Sequence, residues 1–201
     1  RADSDEILEG QLNGRALEVV TSFETQFNDV VGDDATGFEY TEYQTITDDS
    51  GLISVSVPVE WSDVNGAAWN SDLVSGVNEE IGWGLSAAPD LAAWNAGWGT
   101  PGVFIGASPL ITATVAETLD LYDFTGQCSY DGRYDYDDGV YVGLYDLYVD
   151  CGPELSLFFN VIAAPADREW LASVQIVALT DADLTAADEV FNTFLVADVA
   201  G

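Results

Sequence analysis

The chain has 201 residues, with 36 acidic side chains against 4 basic ones, no Lys or His, and a net charge of -32. A surface of that sign repels nucleic acid and anionic lipid, so both are excluded as partners. Without His or Lys there is no Ser-His-Asp or Cys-His apparatus, no lysine nucleophile and no phosphate-loop lysine.

Hydrophobic residues make up 48% of the chain, with 6 Trp, 9 Tyr and 9 Phe, so a core is available and an unfolded acidic tail is excluded. Self-repulsion of the charge costs stability that salt restores, since the Debye length falls from about 10 Å at 0.1 M to about 3 Å at 1 M. The composition therefore points to a saline environment. The competing reading is capture of a basic partner or of Ca2+.

Residues 3–31 carry Leu8, Leu12, Ala16, Val19, Phe23, Phe27 and Val30 at helical spacing and predict an N-terminal helix. Residues 38–47 and 52–57 alternate around Asp48-Asp49-Ser50-Gly51 and predict a β-hairpin, with Ile53, Val55 and Val57 inward. Trp61 falls in the loop after Pro58. A strand is expected near 81–87, then a short helix opened by Pro89 that contains Leu91 and Trp94. A strand over 102–107 and a helix over 112–122 follow. Cys128 to Cys151 reads as a long hairpin with its tip at 135–139. Strands at 155–164 and 170–179 precede a last helix over 183–195, capped by Asp181 or Asp183. No linker divides the chain. A single domain over 1–201 is expected, with a core at 37–197, as an α+β antiparallel sheet flanked by helices.

Cys128 and Cys151 are an even pair in a chain without His, which argues against zinc and for a disulfide in an oxidising compartment; two free buried thiols are the alternative. No run of 18 apolar residues exists, so no direct insertion in a membrane is expected. The chain begins at Arg1 without Met, so a signal or anchor is expected upstream. A secreted or extracellular location follows from these readings.

In the long hairpin, Tyr141, Gly143, Tyr145, Leu147, Val149 and Cys151 should point one way, into the core. Val142, Leu144, Asp146, Tyr148 and Asp150 should point the other. Asp146, Tyr148 and Asp150, with Tyr130, Tyr134 and Tyr136, are the candidate contact surface for a basic protein partner; tyrosines capping the sheet edge are the structural alternative. Asp135, Asp137 and Asp138 before Gly139 are weak candidates for a calcium site. Their spacing departs from an EF-hand, with Gly139 one position early and Asp146 where the twelfth residue would be Glu. Glu79 and Glu80 beside Trp83 keep a carboxylate-based hydrolase open. Trp83, Trp94 and Trp98 either line a concave small-ligand or carbohydrate site or belong to the core. No catalytic set and no cofactor other than Ca2+ is assigned.

Thr47-Asp48-Asp49-Ser50-Gly51-Leu52-Ile53-Ser54-Val55-Ser56-Val57-Pro58-Val59-Glu60-Trp61, then Pro101-Gly102-Val103-Phe104, the Cys pair across a hairpin and a final helix bearing Phe191 and Phe194 resemble exported actinobacterial accessory domains. These are often attached to trypsin-like proteases or lipoproteins. The strand order is similar to the PsbP-like fold, shared with LpqN-type lipoproteins. The resemblance spans residues 37–197 and leaves out the N-terminal helix. It implies a PsbP-like α/β/α sandwich and a non-catalytic module that binds another protein. The alternatives kept beside it are a carboxylate-based hydrolase or small-ligand domain, and a Ca2+-dependent module.

Overall fold

The first hairpin is built around one carboxylate. In the computed structural model, which describes residues 38–197, β1 (Tyr43–Thr47) and β2 (Ile53–Pro58) pair antiparallel across the Asp48–Gly51 turn. The helix expected over 3–31 lies outside the described residues. Asp48 is buried. Its Oδ1 accepts from the Ile53 amide at 2.7 Å, and its Oδ2 accepts from the amide and hydroxyl of Ser50. Gly51 takes a φ of 74°, in the left-handed region that suits glycine. Ile53, Val55 and Val57 are buried and Ser54 and Ser56 are not, as period-2 alternation requires. β1 begins at Tyr43 rather than Phe38. Trp61, in the loop after β2, is fully buried.

The larger sheet contains β3 (Asp63–Asn65), β4 (Trp69–Ser71), β5 (Glu79–Ala88), β6 (Gly102–Ser108), β7 (Ser129–Asp137), β8 (Val142–Cys151), β9 (Ser156–Ala164) and β10 (Leu171–Ala178). Its order is β3-β5-β6-β10-β9-β8-β7, with β4 also paired to β5, and every pairing is antiparallel. All nine residues of β9 are buried, so both faces of the sheet are covered at its centre. This explains why Leu157–Ala164 is apolar on both faces, save for Asn160, instead of alternating.

The main core lies on the first face. Leu85, Ile105, Leu147, Phe159, Val161, Val174 and Ile176 meet Val55 and Val57 of β2 there, together with the apolar side of α3 (Asp181–Thr193). That helix turns Ala186, Ala187, Val190 and Phe191 inward. It begins at Thr180, whose hydroxyl accepts from the Asp183 amide while Asp183 reaches back to the Thr180 amide. The expected cap Asp183 is thus the third residue of a capping box, and Thr180 is the cap. β11 (Leu195–Val196) then pairs with β2, completing a three-stranded sheet ordered β1-β2-β11.

Shorter elements cover the second face: α1 (Leu91–Ala96), α2 (Val115–Leu119) and the chain from α2 to β7. The helix expected over 112–122 is confined to Val115–Leu119: Thr114 and Glu117 form a capping box that sets its start. The architecture is β-rich, antiparallel and α+β, with few and mostly short helices.

Candidate functional site

The hairpin β7–β8 contains two irregularities, and they decide which way its side chains point. Pairing runs Ser129↔Val149 and Tyr130↔Tyr148, then skips to Gly132↔Leu147, so Asp131 is an extra residue. Tyr130 therefore faces the opposite side from Tyr134, although the two are four apart. On the other side, β8 loses its pairing with β9 between Tyr148 and Cys151, where Asp150 has a φ of 52°. Cys151 consequently sits with Tyr148, Phe158 and Val177 on the second face. The alternation had placed it with Tyr141 and Tyr145 on the first; the bulge reverses it.

Cys128 and Cys151 form a disulfide with an S–S distance of 2.07 Å. Rings enclose it. Phe124 lies 4.7 Å from Phe158 and 5.4 Å from Tyr148, and Trp98 lies 5.1 Å from Phe158, all centroid to centroid. The Trp98 indole donates to Gln127 Oε1 at 2.8 Å. Trp94 and Trp98 pack on this cluster, whereas Trp83 packs on the main core across the sheet. The three tryptophans do not converge.

The six contact candidates divide in the same way. Asp146 and Tyr148 are buried on the second face and Tyr136 is buried on the first, against Phe191 at 5.8 Å. Tyr134 is half-buried, stacked on Tyr145 at 5.2 Å, with its hydroxyl donating to Asp131 at 2.8 Å. Tyr130 and Asp150 are exposed. One continuous aromatic-acidic face over all six is therefore not formed, because the strand is covered on both sides where Asp146 and Tyr148 lie.

Asp146 is held by a residue the sequence reading passed over. Arg133 donates from Nε to Asp146 Oδ1 at 2.7 Å and from Nη2 to Oδ2 at 2.8 Å; its Nη1 reaches Asp120 at 2.8 Å. These bonds raise the guanidinium pKa further and fix its charge. The available signal was rarity: a cation among 4 in a chain of 36 acids is placed where a carboxylate must be neutralised. Tyr130 adds a hydroxyl to Asp146 Oδ1 at 3.3 Å, and its ring lies 5.4 Å from that of Tyr148. Tyr130 is thus anchored at both ends while 49% exposed.

At the hairpin tip the acids turn into their own backbone. Asp138 Oδ1 accepts from the amides of Val140 and Tyr141 at 2.8 and 2.7 Å, and its Oδ2 accepts from the Tyr136 hydroxyl at 2.9 Å. Asp137 Oδ1 accepts from the Gly139 amide at 3.0 Å, and Asp135 is exposed. Burial raises the Asp138 carboxyl above the usual range, against the hydrogen bonds that lower it. Among the described residues, no three Asp, Glu, Cys or His side chains are grouped as a metal site. Glu79 and Glu80 are exposed at the start of β5, and Trp83 is half-buried.

No protein-family model matches this chain, and no curated protein is similar to it at a significant level. What the fold and site define is a class: a β-rich α+β domain whose edge hairpin is pinned by a disulfide and by a part-exposed Arg133 on a buried Asp146.

Proposed function

We propose that the protein is a non-catalytic binding module, secreted or displayed at a cell surface in a saline setting, that contacts another and basic protein. The observation that carries this reading is Tyr130. A half-exposed ring held by Tyr148 and by a hydroxyl bond to Asp146 offers contact area with little side-chain entropy left to lose. Exposed Asp120, bound by the same Arg133 that holds Asp146, favours a cationic partner. The disulfide supports an oxidising compartment. The PsbP-like, LpqN-type assignment is part of this proposal, and the β-rich antiparallel α+β architecture is the coarse feature on which it rests.

The test is recovery of partners from native culture medium at constant salt. We compare wild type, Tyr130→Ala and a distant surface control, Val77→Ala. Tyr130→Ala should lose a specific basic protein that the other two retain. Equal recovery by all three proteins defeats the reading. Tyr148 is unsuitable for this purpose, because truncating it opens the buried cluster beside the disulfide.

A further inference from the structure

The outer edge of β7 is the one long sheet edge among the described residues. β7 runs nine residues and pairs only with β8. The opposite edge of the large sheet is made of β3 and β4, three residues each, and the small sheet ends in β1 with five residues and β11 with two. A long unpaired edge offers its backbone donors and acceptors to any extended chain, and short edges are a common protection against that.

The ladder shows which groups are on offer. The Asp138 amide donates to the Tyr141 carbonyl at 3.3 Å, so these two form a hydrogen-bonded pair at the turn. Counting back along the register, Tyr136 and Tyr134 bond to β8, and the amides and carbonyls of Arg133 and Asp135 point outward. Between the turn and the bulge at Asp131 the register is regular over 132–137.

We propose that this edge takes up an extended segment of a basic protein as an added strand. The inference rests on the reading that the partner is basic, and it names the mode of contact. Exposed Asp135 and, two residues on, Asp137 face the second side of the sheet. Residues of an added strand directly opposite them face the same side, where Lys or Arg is favoured. Tyr134 and Tyr136 on the first side present rings to apolar residues, so the fitting segment alternates basic and apolar. Tyr130 faces the second side just beyond the bulge, so the two contacts adjoin. A second copy of the chain is a poor occupant: each carries a charge of -32, and Arg133 is engaged by Asp146 and Asp120.

Hydrogen exchange of the 15N-labelled full chain, at constant salt, tests the edge with a peptide of alternating Lys and Val. The Arg133 and Asp135 amides should gain protection of at least about tenfold as the peptide saturates. A peptide of alternating Glu and Val should give none. Asp135→Asn removes the charge and keeps the amide; Asp135→Pro also removes the outward donor, a change an edge strand tolerates. Asp135→Pro should bind the Lys–Val peptide about tenfold more weakly than Asp135→Asn, the equivalent of one lost hydrogen bond. The proposal is overturned if wild type shows no protection at these two amides, if the acidic peptide protects them equally, or if they become protected with rising protein concentration alone, which would assign the edge to a second copy. In recovery from culture medium, a basic protein lost by Tyr130→Ala but kept by Asp135→Pro would sink strand addition and leave the Tyr130 contact standing. Protection by the Lys–Val peptide, with no basic protein recovered by wild type, would sink the partner reading and leave the edge as a strand-binding site.

Discussion

The hydroxyl of Tyr40 donates to Asp183 Oδ1 at 2.7 Å, joining the segment before β1 to the first turn of α3 across 143 residues of chain. The same oxygen accepts from the indole Nε1 of Trp61 at 3.2 Å. Asp183 meanwhile closes the capping box with Thr180. One phenol thus satisfies a buried tryptophan and a buried carboxylate at once, and burial with the neighbouring Asp183 raises its pKa, keeping it protonated.

Tyr40→Phe keeps the ring and removes both bonds. It leaves the Trp61 N–H without its partner, so the folded state should lose about 1–3 kcal/mol in denaturant titration. A loss too small to resolve would mean that water replaces the hydroxyl.

Arg133→Met leaves Asp146 buried without its bidentate partner, and unfolding free energy should fall by about 3 kcal/mol, somewhat discounted because Arg133 is partly exposed. The double variant Arg133→Met/Asp146→Leu should recover most of that, since an apolar pair carries no desolvation cost. If the double variant is as unstable as the single, the pair contributes through packing and not through charge.

Replacing Cys128 and Cys151 by Ser should lower stability by about 3 kcal/mol, the chain-entropy value for a loop of this length. Trp98 and Phe124 pack on the bridge cluster, so their near-ultraviolet dichroism should weaken with it. An unchanged melting temperature would show that the aromatic cluster closes the loop unaided.

The Asp138 carboxyl has a folded pKa raised by burial. Its contribution is therefore complete below the unfolded pKa and is lost as pH rises through the folded one. Asp138→Asn stays neutral and keeps an acceptor for the Val140 and Tyr141 amides. Its stability relative to wild type should grow as pH rises from about 3 to about 7. A difference that is flat, or that is largest in acid, contradicts this.

Melting temperature should climb between about 0.1 M and about 1 M NaCl as the charge of -32 is screened. Ca2+ at matched ionic strength should add nothing further, because Asp137 and Asp138 already accept backbone amides. An extra rise with Ca2+, abolished by Asp135→Asn, would instead establish the hairpin tip as a cation site.

The sequence by itself determined the elements whose cause is local. The alternation at Ile53, Val55 and Val57, the turn at Asp48–Gly51, the strands expected at 102–107, 155–164 and 170–179 and the final helix follow from periodicity and turn chemistry, and each is found with its ends within one or two residues. The pairing of Cys128 with Cys151 followed from their number and the lack of His. Tertiary structure alone decided the faces of the long hairpin. A bulge adds one unpaired residue and reverses every side chain beyond it, and period-2 reading has no signal for where it falls. At Asp131 this separated Tyr130 from Tyr134, and near Asp150 it moved Cys151 to the other side of the sheet. Strand order also lay beyond the sequence. Arg133, Asp146, Asn160 and Gln175 are spread over 43 positions of chain, and only the β7-β8-β9-β10 neighbourhood brings them into one row. Asp146, which reads as a surface acid, is buried because that order sets Arg133 opposite it.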